Sequence, residues 1–198
     1  MSSDATAQVS TGPWPAGIAL TATAFAAVYD QHVSFVWRCA RHLGAPALVI
    51  EDVVQDVFIA VYERLPAFEG RSSLKTWLFA ITLRVVRRYR QPRADGGTAE
   101  APLEAALVEH PDSTVRADPY EVLIRQEAAH LVNNFLDSLD DKKRTVFVLA
   151  EIEQWTASEI AEALGTNVNT IYSRLRLARE AFRVAIDRSG KRAKRGSI

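Results

Sequence analysis

Apolar residues recur at a spacing of three and four over most of this chain, and no run alternates with a period of two long enough to form a sheet. The pattern predicts an all-α protein. A helix over about 24–43 ends at Gly44. A second, over about 47–65, carries Val54, Val57, Phe58, Val61 and Leu65 as its buried stripe and stops before Pro66. A third runs over about 74–90, with Ser73 as its cap and Pro92 as its stop. It bears two apolar stripes, one of Leu74, Leu78, Ile81 and Val85 and one of Phe79, Leu83 and Val86. Such a helix is packed on both faces or leaves apolar surface for a partner. Four more helices are expected over about 119–138, 141–153, 157–164 and 168–189; Asp118, Pro119 and Glu121 form a strong start signal for the first of them.

The last two helices carry the sharpest signal. Thr156 with Glu159 makes a capping box, Gly165 suits a left-handed helix end, and Asn167 can cap the final helix. That is the outline of a helix-turn-helix, whose second helix enters the DNA major groove. By angle, Ile171, Leu175, Ala178 and Phe182 form the buried stripe, while Asn169, Tyr172, Ser173, Arg176 and Arg183 point away from it. Asn and Arg suit base edges; Ser and Arg suit phosphate oxygens. Arg174 and Arg179 sit on the flanks, where a DNA backbone would pass.

Composition narrows the function classes. With 198 residues and 48% hydrophobic content there is room for one medium or two small folded units. Lys plus Arg and Asp plus Glu number 24 each, so attraction to nucleic acid must come from uneven distribution. From 166 onward nine basic residues face only Glu180 and Asp187. Cys39 is the single cysteine, which excludes an internal disulfide and fits a reducing cytosol. The four scattered histidines give no metal-ligand spacing, and no cofactor is expected. No signal peptide and no membrane span are expected, so the expected location is the cytoplasm. There is no nucleophile–base pair and no glycine-rich phosphate loop, so the chain does not read as an enzyme.

The expected organisation is a mobile tail over 1–23, a first helical domain over 24–91, a linker over 92–118, a second domain over 119–189 and a basic tail over 190–198 that frays. The linker holds Asp95, Glu100, Glu104, Glu109, Asp112 and Asp118 against Arg93 and Arg116. In the first domain, Asp52, Gln55, Asp56, Ile59 and Glu63 lie opposite the buried stripe, as on a docking face for a basic partner. Phe68, Arg71, Lys75 and Trp77 offer aromatic and cationic groups for unstacked bases, and Arg84, Arg87, Arg88 and Arg90 continue the basic track.

The segments 51–58 (EDVVQDVF) and 68–81 (FEGRSSLKTWLFAI) resemble region 2 of bacterial RNA polymerase sigma factors. The segment 139–147 (LDDKKRTVF) and the helix-turn-helix resemble region 4. No segment resembles the domain that larger sigma factors carry between them, so the compact plan resembles the extracytoplasmic-function (group IV) class. The resemblance implies two small helical domains joined by a flexible acidic linker, with core RNA polymerase and promoter DNA as partners. It implies that Asp52, Gln55, Asp56 and Ile59 bind core polymerase. Phe68, Arg71, Ser72, Lys75, Trp77, Arg84, Arg87 and Arg88 would handle the melted −10 element. Asn169, Thr170, Tyr172, Ser173, Arg174 and Arg176 would read the −35 duplex. An anti-sigma factor is expected by analogy, and the acidic linker would thread the polymerase's RNA path. The family often has Asn where Arg84 stands, and Lys or Arg where Tyr172 stands. The alternative is a free-standing helix-turn-helix transcriptional regulator, which would bind promoter duplex tightly without polymerase.

Overall fold

A computed structural model describes residues 22–91 and 119–195. Residues 1–21 of the tail expected over 1–23, the linker with the Asp118 cap, and residues 196–198 lie outside the described residues; 22 and 23 are helical rather than part of a tail. Seven α-helices make up the described chain: α1 (Ala22–His42), α2 (Ile50–Arg64), α3 (Leu74–Arg90), α4 (Pro119–Ser138), α5 (Asp141–Phe147), α6 (Ala157–Leu164) and α7 (Val168–Arg195). No strand occurs among the described residues.

Helices α1, α2 and α3 pack on one another around Val36, Cys39, Val53, Val57, Val61, Leu78, Phe79 and Val86. The Ser73 hydroxyl accepts the Thr76 N–H at 3.0 Å and fixes the start of α3. Both stripes of α3 are covered: Leu78, Phe79, Ile81, Leu83, Val85 and Val86 are all buried. Thr82, buried among them, donates its hydroxyl to the Leu78 carbonyl at 2.8 Å, so burying it leaves no polar atom unpaired. The predicted second helix is α-helical only over α2. Short 3₁₀ turns flank it at Ala47–Val49 and Leu65–Ala67, the second built around Pro66, whose ring fits the first residues of a tight turn.

In the second half, Phe135 of α4, Phe147 of α5 and Phe182 of α7 meet with ring centroids 4.9–5.5 Å apart. Helix α5 departs from its prediction. The chain widens into a π-helical turn at Val148–Ile152, where a single helix over 141–153 was expected. Val146, Phe147, Val148 and Leu149 are all buried, and four consecutive residues cannot share one face of a 3.6-residue helix. Gln154 comes next at φ +58°, with its side chain amide donating to the Glu151 carbonyl at 2.6 Å. Helix α7 also runs further than expected, through Arg195 rather than ending near Ser189. Gly190 needs no left-handed backbone there, and lysines and arginines are good helix formers that favour a helix C-terminus.

The two groups of helices share one core. Val146, Leu149, Ile160, Ala161, Ile171 and Leu175 belong to the same buried cluster as the residues of α1–α3, and α6 packs against α3.

Candidate nucleic-acid and polymerase interface

The helix-turn-helix forms as its residues dictate. Thr156 accepts the Glu159 N–H, and the Glu159 carboxylate accepts the Thr156 N–H at 2.7 Å. These bonds to Thr156 hold the Glu159 carboxyl below its usual range. Gly165 closes α6 at φ +58°, and Asn167 Oδ1 accepts the Asn169 N–H at 2.8 Å. Ile171, Leu175 and Ala178 are buried and Phe182 packs beside them, which leaves Asn169, Tyr172, Ser173 and Arg176 exposed. Tyr172 is 59% exposed. Thr170 and Arg174 are half-buried at the edge of this face. Arg176 lies 3.7 Å from Glu180, one turn on, a solvent-exposed pair that constrains it little. The −35 set therefore sits on one anchored helix, with its polar groups outward.

The proposed −10 set is not gathered in one place. Phe68 and Trp77 pack together, centroids 5.0 Å apart, and both are half-buried against the core. Arg71 is exposed and pairs with Glu69 at 2.5 Å, and Ser72 donates to the Ser73 carbonyl at 3.4 Å. Lys75 is committed elsewhere. Its ammonium lies over the rings of Phe35 (4.8 Å) and Trp155 (5.7 Å), and 3.7 Å from Glu153. Arg84, Arg87 and Arg88 line a shallow pocket with Ala80, Leu83 and Gln91. Arg88 binds Asp56 at 2.5 Å, and Arg87 lies 3.8 Å from Asp141.

On the face expected to dock a partner, Asp52 and Gln55 are exposed and Ile59 is 49% exposed. Asp56 differs. It is half-buried and accepts from Arg88 and, at 2.8 Å, from the Tyr89 phenol, so it ties α2 to α3. Burial and this bond raise the Tyr89 phenol above its usual value. The sequence pattern did not reveal the aromatic groove beside this face. Phe25, Tyr29, Val33, Trp37, Val54, Phe58, Ile59 and Tyr62 line about 810 Å³, with Glu51, Gln55 and Glu63 among its polar residues. The recurrence of Phe25, Tyr29 and Val33 at helical spacing was a readable signal for it.

Nor did it reveal Gly44, Arg144, Glu153 and Trp155, which join the two helical groups. Arg144 is buried and donates to the Leu136 carbonyl at 2.7 Å and to the Leu43 carbonyl, across the interface, at 3.3 Å. A Cβ on Gly44 would lie 2.0 Å from the Arg144 guanidinium, and Gly44 holds φ +88°. Arg90 pairs with Asp141 and reaches the same Leu43 carbonyl at 3.4 Å. Glu153, whose side chain is 2% exposed, meets Arg38 at 3.3 Å. His42 is half-buried nearby, with its Nδ1 enclosed and unpartnered, and desolvation, with Arg41 adding to it, lowers its pKa to about 4. No cluster of His, Cys, Asp and Glu that could hold a metal occurs among the described residues.

Comparison with known proteins agrees with this geometry. The Sigma-70 region 2 family matches residues 28–94, and the Sigma-70, region 4 family matches residues 130–182. The RNA polymerase sigma factor NccH of Alcaligenes xylosoxydans xylosoxydans is 33% identical over 159 residues, 79% of this chain and 83% of that protein. The ECF RNA polymerase sigma-E factor of Escherichia coli K12 is 30% identical over 146 residues, 69% and 73% of the two chains. Among solved structures, CnrH in complex with the cytosolic domain of CnrY aligns with a TM-score of 0.62 at 26% identity, covering 84% of this chain and 90% of that one. The sigma factor RpoE in complex with the anti-sigma factor NepR, from Bartonella quintana, shares the fold with a TM-score of 0.62 at 21% identity, over 82% and 96%. An anchored helix-turn-helix, an exposed acid-rimmed apolar face and two matching regions in this order agree on one family: this chain belongs to the extracytoplasmic-function (ECF) sigma factors of RNA polymerase, which direct promoter recognition.

Proposed function

We propose a division of labour among the named residues. Asp52, Gln55 and Ile59, with the aromatic groove beside them, dock on core polymerase, and Asp56 holds that face in register with α3. Phe68, Arg71, Ser72, Lys75, Trp77, Arg84, Arg87 and Arg88 engage the −10 element as it melts; base flipping of this kind costs a few kcal/mol, repaid by a pocket and stacking. Asn169, Thr170, Tyr172, Ser173, Arg174 and Arg176 read the −35 duplex. The first domain spans 24–91 and the second 119–189. The protein works in the cytoplasm, without catalysis of its own. No helix among the described residues is long and apolar enough to cross a membrane, which accords with that location.

The observation that carries this reading is helix α7, fixed in the core by Ile171, Leu175 and Ala178 while its Asn, Tyr, Ser and Arg side chains stand in solvent. A proteinaceous inhibitor is a further partner by analogy with RpoE, which was solved with an anti-sigma factor. Transcription in vitro with core polymerase on a genomic library tests the whole assignment. Addition of the chain is expected to create new start sites preceded by two shared elements. Asp52→Lys is expected to weaken core binding without unfolding the chain. Start sites that do not change on addition would overturn the reading.

A further inference from the structure

Helix α7 carries an arginine that the −35 set leaves out. Arg179 lies two turns beyond Tyr172, about 10 Å along the axis and about 20° around it, on the flank where a DNA backbone would pass. Its side chain is 58% exposed, yet it is held. The Glu151 carboxylate oxygen Oε1 accepts from its Nε at 2.8 Å and from its Nη2 at 2.7 Å. Arg176, by contrast, pairs within its own helix at 3.7 Å. The acid that holds Arg179 comes from the π-helical turn, 28 positions away in sequence. Val148 and Leu149 of that turn are buried, while Glu151 stays half-buried at its edge. The Gln154 amide fixes the main chain there by donating to the Glu151 carbonyl at 2.6 Å. Glu151 is thus secured at its backbone and committed to Arg179 at its side chain.

We propose that Glu151 is a positioning residue for duplex binding: it holds the Arg179 guanidinium at the rim of the recognition face, so that Nη1 donates to a backbone phosphate beside the −35 element. The inference rests on the proposed reading of duplex by α7 and adds a phosphate contact to it. The chemistry favours a phosphate over a base. A flank position two turns past the readers looks at the wall of the groove, not its floor, and contacts there set register. A planar guanidinium donates from more than one edge, so the edge bonded to Glu151 leaves another for an anion. A loose, exposed arginine gives up its rotamer freedom when it grips a phosphate, and one already held gives up less. The same pair joins the π-helical turn to α7, so the contact fixes the helix-turn-helix on the duplex as one body.

The test uses holoenzyme formed from core polymerase and the full chain, with a fluorescent duplex carrying the upstream element shared by the start sites it directs in vitro. Single phosphates along the duplex are replaced in turn by neutral methylphosphonates. One replacement is expected to cost the wild type about tenfold in affinity, as loss of a charge-assisted bond does, and to cost Arg179→Ala nothing. Glu151→Gln is expected to blunt the loss at that same phosphate and to leave the other phosphates and the base preference unchanged. Arg179→Ala is also expected to lower the slope of log affinity against log salt by about 0.9, the contribution of one phosphate contact. A charge swap, Glu151→Arg with Arg179→Glu, separates positioning from a merely structural tie. Thermal melts of the swapped chain are expected to return to wild type, while sensitivity at that phosphate is expected not to return. An Arg179→Ala holoenzyme with the wild-type methylphosphonate profile overturns the proposal, and this arm decides even where Glu151→Gln fails to fold. A folded Glu151→Gln chain with the wild-type profile overturns it too, as does a charge swap that restores duplex affinity along with stability. A wild-type holoenzyme that does not bind the duplex overturns the −35 reading itself, and this inference with it.

Discussion

Helices α3 and α7 both present arginines to the DNA in the proposed complex, yet they hold them differently. On α7 the readers are anchored from behind, and their one nearby acid, Glu180, is a loose, exposed neighbour. On α3 the cations are already bonded within the chain: Arg88 to Asp56, Arg87 to Asp141 and Lys75 to Glu153. Two of those three acids belong to the other domain. The proposed duplex-reading side chains thus depend on one helix and its local core, whereas two of the α3 cations are held by acids of the other helical group.

The strongest way to break this contrast is at Gly44. Gly44→Ala forces a Cβ into the Arg144 guanidinium at a left-handed position and is expected to cost about 3 kcal/mol in urea unfolding. The −35 duplex affinity of the chain that remains folded should hardly change. Acid probes the same interface. Above pH 6.5 His42 is neutral in both folded and unfolded chains, and its contribution is fully present. Between pH 6.5 and about 4 the unfolded chain takes up a proton that the folded site resists, so stability falls, by roughly 3 kcal/mol at most, and levels off below. His42→Gln is expected to flatten that part of the profile. Helix α7 carries no histidine, so its DNA face has no such dependence. Arg176→Ala should cost about 1–3 kcal/mol in −35 binding and relax base preference at one position, read by competition among duplexes. An equal loss on every duplex would assign Arg176 to phosphates. The smallest effect is expected from Thr156→Ala, about 1 kcal/mol of stability as the capping box opens, measured by thermal melting.

What could be read from the sequence divides along the same line. The boundaries of α3, α4 and α6 and the caps at Ser73, Thr156, Gly165 and Asn167 are local, set by residues within four positions of one another, and they stand as expected. The face of α7 can be derived from its period alone. The double stripe of α3 announced a second covering layer without saying what supplies it. Arg38 and Glu153 are 115 positions apart, and neither looks unusual until the fold joins them. The π-helical turn likewise answers to a core on more than one side, which no local propensity encodes. Asp56 was readable as polar and outward, but its bond to Tyr89 required the position of α3.

The Leu43 carbonyl oxygen accepts from Arg90 of its own domain and from Arg144 of the other. That atom is main chain, and no point mutation can delete it. Any lineage that tightens or slackens this junction must therefore act on the two guanidiniums or on the bare α-carbon next door, which leaves three codons through which the packing can be tuned at that spot.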